Sequence, residues 1–457
     1  MMVFERRSSL ELPVEEVREW HRRPGALERL IPPWLVTVVG AEEGGSPADL
    51  LEMVLRVGLW RVPWLLERHR AEDGSELELR QLEGPFSRWR HTMRFVAEAE
   101  ERCAIEDRIE CELSGGVLGE ALLGRTLERS IERALAHRHR VLAADLPRHR
   151  AYLGQGDQRV ALTGSSGLVG RTLAAFLRSG GHRPVSLVRD PAAAGRPDTI
   201  LWNPSQGELE PEVLEGCDAV VHLTGAGVAT GRWTPERKRL ILESRLLGTQ
   251  TLCRALARMG KPPRVLISAS AVGYYGERGD ATLDEANEPG SGFLSEVCHE
   301  WEEATRPAQD RGIRVVKLRI GLVLSGRGGA LPRMCRPFRL GLGGPVGSGR
   351  QYWSWIALDD LVAAILHLIF TDSVHGAVNA VAPTPVRQRD FARTLGRVLR
   401  RPALLPLPAP VVRAALGELG QALLLESARV SSARLEGTGF RFLYPELEAA
   451  LRAELGR

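Results

Sequence analysis

The run Thr163-Gly164-Ser165-Ser166-Gly167-Leu168-Val169-Gly170 has the residue types and spacing to hold a pyrophosphate. Val160-Ala161-Leu162 before it reads as a buried strand, and helix-forming residues begin at Leu168. In such a strand–turn–helix, the first glycine permits the sharp turn and the second lets a phosphate approach the backbone. The third lets the helix start pack closely. The helix N-terminus offers free N–H groups and the positive end of its dipole to the anion. A merely glycine-rich turn would not need both the strand before it and the helix after it.

The next apolar strand ends Ser186-Leu187-Val188-Arg189. An acid there would bond the ribose 2′-hydroxyl of NAD, whereas arginine suits the added 2′-phosphate of NADP(H). The bland alternative is a solvated arginine in an arginine-rich chain. A later strand runs into His222-Leu223-Thr224-Gly225-Ala226, whose small residues leave room beside the adenosine; His222 itself reads as a packed core histidine. Asp359 and Asp360 head a helix and read as cap and dipole complement rather than chemistry.

These residues need a parallel sheet to position them. Apolar segments at Val160–Thr163, Val185–Val188, Ala219–Leu223, Val265–Ser268 and Val315–Leu318 alternate with helical patterns, the grammar of βαβ units. The first 150 residues differ. Alternating segments at Val3–Leu12, Leu51–Val57, Leu77–Leu82, His91–Ala97 and Cys103–Leu113 predict an antiparallel sheet with one buried face. A helix is expected over Pro13–Arg22 and a long one over about Leu118–Leu146, with apolar Leu122, Ile131, Leu135 and Leu142 along it. Trp60, Trp64, Phe86, Trp89 and Phe95 would line an apolar cavity under that helix, or simply fill the core. His137 and His139 on it read as a solvated face, their rings pointing apart. The expected organisation is an α+β domain over 1–150, a linker over 151–158, a Rossmann-type α/β domain over 159–400 and a small helical C-terminal domain over 401–457.

The 457 residues, 44% hydrophobic and 26% charged, fit a multidomain globular protein. A net charge of +4 gives no case for nucleic acid. The six cysteines form no CxxC pair, which argues against zinc or a disulfide framework and fits a reducing, cytoplasmic setting. No signal-peptide pattern and no membrane span is expected.

Several further stretches carry a family resemblance: Gly231-Arg232-Trp233-Thr234-Pro235-Glu236-Arg237-Lys238, Ile267-Ser268-Ala269-Ser270-Ala271-Val272-Gly273-Tyr274-Tyr275-Gly276, Phe338-Arg339-Leu340-Gly341-Leu342-Gly343-Gly344-Pro345, and Trp355-Ile356 with Asp359-Asp360-Leu361. With the glycine loop they resemble the NAD-dependent epimerase/dehydratase branch of the extended short-chain dehydrogenase/reductases that carry a short extra C-terminal domain. The first 150 residues resemble, less specifically, the START-like or polyketide-cyclase-like helix-grip domains that bind apolar ligands, through Leu12-Pro13 and Ile31-Pro32-Pro33-Trp34.

The resemblance implies an oxidoreductase or epimerase acting with NADP(H) on a small molecule, with a homo-oligomer as one further expectation. It implies that Val188 and Arg189 hold the 2′-phosphate end, that Leu223, Thr224 and Gly225 flank the adenosine, and that Arg245 passes beneath the cofactor. Val323 would follow the strand that meets the nicotinamide. Arg350 and Gln351 would sit in a cap over the substrate; core packing of the neighbouring tryptophans is the competing reading. Ser270 matches the family's catalytic serine.

The family's tyrosine–lysine pair is missing. Its helix reads Phe293-Leu294-Ser295-Glu296-Val297-Cys298-His299, with Leu294 or Phe293 at the tyrosine place and Cys298 or Val297 at the lysine place. Tyr275 and Tyr274 are the substitute acids closest to Ser270 in sequence; Cys298, His299 and Glu296 are others, with loop and core packing as the alternatives. A protein that binds NADPH and senses it without turnover is therefore the second functional expectation.

Overall fold

The computed structural model describes residues 1–42, 48–57, 60–113 and 116–457. The chain forms two compact units, one built on Met1–Gly154 and the other on Gln155–Leu177 with His182–Leu455.

The first unit runs β1 (Met2–Leu10), α1 (Val14–Arg22), α2 (Ala26–Leu30), β2 (Val36–Glu42), β3 (Ala48–Val57), β4 (Trp60–Arg70), β5 (Glu76–Glu83), β6 (Phe86–Ala99), β7 (Arg102–Leu113) and α3 (Gly116–Arg150). Its strands form one antiparallel sheet in the order β1-β7-β6-β5-β4-β3-β2. The period of two decides the faces. On β7, Cys103, Ile105, Ile109 and Cys111 are buried, while Arg108 is exposed and Glu106 and Glu110 half-buried. Opposite charges pair across the outer face, as in Arg94–Glu76 and Arg7–Glu106. Trp64, Phe86 and Trp89 pack on one another with centroids 4.8 to 5.9 Å apart. Phe95 lies 4.7 Å from His21. The side chains of Trp60 and Leu122 lie outside the described residues.

The expected solvated face at His137 and His139 is corrected: both are buried. Their rings do diverge, but each meets a wall. His137 stacks edge-on against Trp34, and His139 Nε2 lies 2.8 Å from Asp107 Oδ2. Asp107 occupies an inward position of β7, where the alternation calls for an apolar residue. It is satisfied there by His91 at 2.6 Å and Arg138 at 3.0 Å.

The second unit opens with β8 (Arg159–Thr163), α4 (Leu168–Ser179), β9 (Arg183–Val188), β10 (Thr199–Leu201), β11 (Ala219–His222), α5 (Pro235–Arg258) and β12 (Val265–Ala271). It continues with β13 (Thr282–Leu283), α6 (Phe293–Glu303), α7 (Arg306–Asp310), β14 (Arg314–Ile320), β15 (Leu322–Leu324), α8 (Ala330–Arg339), β16 (Tyr352–Trp353), β17 (Trp355–Ala357), α9 (Leu358–Phe370), β18 (Gly376–Ala380), β19 (Val386–Arg387), α10 (Gln388–Leu399) and α11 (Ala409–Leu416). Seven strands form a parallel sheet in the order β10-β9-β8-β11-β12-β14-β18, the doubly wound arrangement. The chain reverses direction across the sheet between β8 and β11, whose C-terminal ends lie side by side with His222 beside Thr163. Such a switch point is where this fold opens a ligand crevice.

Two short strands, β10 and β18, were not among the expected segments. β10 has only three residues, and β18 reads Gly-Ala-Val-Asn-Ala with a single large apolar side chain, so neither forms an apolar run. No helix among the described residues is long and apolar enough to cross a membrane.

Candidate active site

Each loop glycine has a physical reason at the end of β8. Gly164 has φ +68°, and a Cβ there would sit 3.0 Å from the Leu223 carbonyl. A Cβ on Gly170 would sit 2.2 Å from the Gly164 carbonyl oxygen, so only glycine lets α4 start against the turn. The Gly167 amide closes that turn on the same oxygen at 2.9 Å. Ser165, Ser166 and Val169 are carried between them, and the Leu168 side chain would lie 3.2 Å from a Cβ on Gly329, in the segment after β15. Val323 lies within β15, which pairs with β17.

His222 ties the two strand ends together. The Leu223 amide donates to Thr163 Oγ1 at 3.1 Å, so that hydroxyl gives its proton to His222 Nδ1 at 2.8 Å. Thr249 Oγ1 donates to the Arg245 carbonyl at 2.7 Å and is left to accept from His222 Nε2 at 3.0 Å. The ring is therefore neutral with its proton on Nε2, and burial lowers its pKa to about 4. This is a structural histidine.

Val188 and Arg189 end β9, with Val188 half-buried and Arg189 exposed. No described residue bonds the Arg189 side chain. Leu223 and Thr224 follow β11 half-buried, and Gly225 is exposed. A Cβ on Gly225 would lie 3.0 Å from the Arg245 guanidinium carbon. Thr234 caps α5 by accepting from the Arg237 amide at 3.2 Å, with Pro235 at the first helical position. Nearly three turns into the helix, Arg245 Nη1 donates to the carbonyls of Ala226 and Ile241, both at 3.0 Å. Its guanidinium lies 4.9 Å from the Trp301 ring centre. Arg245 forms no ion pair with Glu243 or any other described acid, and burial pulls its pKa below the ordinary arginine value.

Ser270 is buried at the end of β12, and its hydroxyl donates to Glu302 Oε1 at 2.7 Å. Arg319 of β14 clasps the same carboxylate, Nε to Oε1 at 2.9 Å and Nη2 to Oε2 at 3.0 Å. Arg319 Nη1 then donates to the Tyr275 hydroxyl at 3.0 Å, which donates to Asn379 Oδ1 at 2.7 Å. Tyr274 lies flat against Arg319, 3.5 Å from its guanidinium carbon. Tyr275 is fully buried, and burial pushes its pKa up to about 12 against the pull of Arg319. Of the two readings of Tyr275, substitute acid or packing, its burial and its hydroxyl's bonds to Arg319 and Asn379 favour packing.

Leu294, Cys298 and Glu302 are spaced four apart on α6, so they share the face turned toward β12. Leu294 lies 3.3 Å from a Cβ built on Gly273. Burial raises the Cys298 pKa to about 11, with Glu302 adding to the rise and Arg245 opposing it. The helix lacks a lysine, but a cation reaches Cys298 from α5. Glu302, missed in the sequence, was detectable as the next acid on the Leu294/Cys298 face.

The expected substrate pair separates. Gln351 is buried and its amide donates to the carbonyls of Val346 at 3.0 Å and Leu424 at 2.8 Å, a structural brace. Arg350 is exposed. Trp353 and Trp355 are core residues. The capping role expected of Asp360 is likewise corrected. Fully buried, it accepts from the Leu443 amide at 2.7 Å and the Tyr444 amide at 2.9 Å, pinning a segment eighty residues away.

Residues 160–380 match the NAD dependent epimerase/dehydratase family, and residues 407–454 match a domain of unknown function, DUF1731. An epimerase family protein of Mycobacterium tuberculosis is 44% identical over 292 residues, covering 64% of this chain and 96% of that one. The chain belongs to the epimerase/dehydratase family. Among solved family structures, a nucleoside-diphosphate sugar epimerase from Corynebacterium glutamicum aligns over 99% of this chain and 90% of its own, with a TM-score of 0.81 and 32% identity. That epimerase match takes in the N-terminal unit. Human epimerase family protein SDR39U1, solved with NADPH, aligns over 65% of this chain and 99% of its own, with a TM-score of 0.60 and 36% identity.

Proposed function

We propose that this epimerase-family chain binds NADP(H) at the β8–α4 loop and acts as an oxidoreductase or epimerase on a small molecule. Arg189 carries the cofactor choice. It stands exposed and unpaired at the end of β9, where an acid would select NAD. The human relative's NADPH complex supports the same choice. The fit is supported by the Gly164–Gly170 cradle, which a single Cβ would fill. In this reading Gly164, Ser165, Ser166, Gly167, Leu168, Val169 and Gly170 hold the pyrophosphate, Val188 and Arg189 the 2′-phosphate, and Leu223, Thr224 and Gly225 the adenosine side. Val323 borders the nicotinamide side. Bound NADPH would supply a hydride. Arg245, a buried cation without a carboxylate, would place positive charge beside Cys298, where the family's lysine is absent. Ser270 would orient an oxygen while Glu302 holds its hydroxyl; Tyr275 and Tyr274 would hold Arg319 in place. Arg350 is the surviving candidate for a substrate anion.

A second reading, NADPH binding without turnover, is favoured by Leu294 and Cys298 in place of tyrosine and lysine. For the N-terminal unit, the unbroken antiparallel order and the 35-residue α3 support a helix-grip reading, and with it an apolar ligand.

Titration with NADPH and NADH tests the cofactor assignment. Arg189→Ala is expected to weaken NADPH at least ~10-fold, the loss of a charge-assisted contact, and to leave NADH unchanged. Equal loss for both cofactors would remove Arg189 from the 2′-phosphate. NADPH oxidation against carbonyl compounds, nucleotide sugars among them, separates the two readings.

A further inference from the structure

Several of the most exposed large apolar side chains gather in two segments of the second unit. Leu340 and Leu342 follow α8, and Leu404, Leu405 and Leu407 precede α11; Leu404 is 79% exposed and Leu340 75%. The two segments are stitched together. The Leu405 amide donates to the Gly343 carbonyl at 3.1 Å, the Leu407 amide to the Pro345 carbonyl at 2.8 Å, and the Gly347 amide to the Leu407 carbonyl at 2.9 Å. The approach is so close that a Cβ on Gly344 would fall 2.0 Å from the Leu405 oxygen. A built, hydrogen-bonded ridge thus presents leucines to solvent, Leu404 and Leu340 most fully.

Within the two segments that build the ridge, the charges are of one sign. No acid occurs from Ala330 to Arg350 or from Phe391 to Gly417. Arg336, Arg339, Arg400 and Arg401 are exposed, immediately flank the leucines, and form no ion pair with any described residue. Other arginines of this unit do pair with acids, as Arg397 does with Glu448 and Arg387 with Asp280. The backbone also speaks to the occupant. The 405 and 407 amides are used inward, and the alternate positions, whose amides would face out, are Pro406 and Pro408. From 406 onward that edge offers no donors with which to add a strand from a protein partner.

Leucine tips ringed by unpaired arginines, on an edge closed to strand pairing, match the interface of an anionic bilayer, where apolar tips enter the acyl boundary and cations meet phosphates. We propose that this ridge docks the protein on the surface of an anionic phospholipid membrane. The proposal is independent of the nucleotide site.

Co-sedimentation of the full chain with vesicles tests it. Mixed phosphatidylglycerol–phosphatidylcholine vesicles are expected to bind at least ~10-fold more protein than phosphatidylcholine alone, with binding lost as salt rises. Leu404→Asp with Leu405→Asp is expected to abolish binding. Arg400→Glu with Arg401→Glu is expected to abolish the preference for anionic lipid. Both pairs lie at exposed positions, so an unchanged melting temperature shows that each variant is folded. Absence of binding by the unaltered chain, or full binding by both folded variants, overturns the proposal. So does light scattering that shows a dimer dissolved by the leucine changes while vesicles stay bare, which would give the ridge to a second copy of the chain.

Discussion

Tyr275 shows how a residue beside a catalytic position can serve structure instead. Its hydroxyl joins Arg319 to Asn379, and Arg319 in turn holds the Glu302 carboxylate that receives the Ser270 proton. Burial acts to lower the Arg319 pKa, yet Glu302 raises it above the ordinary value, so the guanidinium keeps its charge. Removing one member leaves a buried polar group unsatisfied. Tyr275→Phe is expected to cost about 1–3 kcal/mol in urea denaturation, with NADPH affinity within about twofold of the unaltered chain. A variant of unchanged stability that has lost turnover would return the hydroxyl to the chemistry. Ser270 stands at the other end of the same network, so its hydroxyl orientation is inherited from Glu302 and Arg319.

Elements differ in how far their residues announce them. The β8–α4 turn was legible because each glycine answers a local demand of backbone geometry, and Gly170 meets its demand only seven residues from Thr163. The βαβ alternation was legible for the same local reason. Asp107, His139 and Asp360 were not, because their partners are distant in the chain. Polar residues on a strand or helix look solvated until another element covers them. Asp360 is the clearest case. As a residue of the first turn of α9 it fits a helix-dipole role, but both its oxygens accept amides of the chain at Leu443 and Tyr444. It therefore fastens the C-terminal segment to α9. Asp360→Ala should strand two N–H groups and cost about 2–5 kcal/mol, while Asp360→Asn, which keeps one acceptor oxygen, should cost less. Limited proteolysis should cut the alanine variant first near residues 440–445. Equal stability of the aspartate and alanine proteins would mean that water satisfies those amides as well as the carboxylate does.

At the scale of the whole molecule, each unit buries a histidine that is neutral when folded. In the first, burial lowers His21 to about 3, with Arg138 and His139 reinforcing the fall and Asp107 and the Val17 carbonyl opposing it. In the second, burial alone lowers His222 to about 4. Both would titrate near 6.5 in the unfolded chain. Below about pH 6.5 the unfolded state therefore takes up protons that the folded state refuses, and stability falls with pH. The loss continues to about pH 4 for His222 and to about pH 3 for His21. Each tenfold difference in proton affinity between the two states is worth ~1.4 kcal/mol, so His222 alone accounts for about 3 kcal/mol by the bottom of its window. Asp107 acts in the same sense. Burial acts to raise its pKa, but Arg138, His139 and His91 hold it well below the carboxylate range. Its contribution is full above the unfolded value near 4 and is lost as pH falls through the folded one. His222→Gln offers a neutral amide to Thr163 and Thr249 and cannot take the proton. Its melting temperature should start below that of the unaltered chain at pH 7 and fall less steeply between pH 6.5 and 4, so that the two curves converge. Parallel curves in scanning calorimetry would mean that His222 is protonated in the fold, and the proton order assigned to the Thr163–His222–Thr249 chain would have to be reversed.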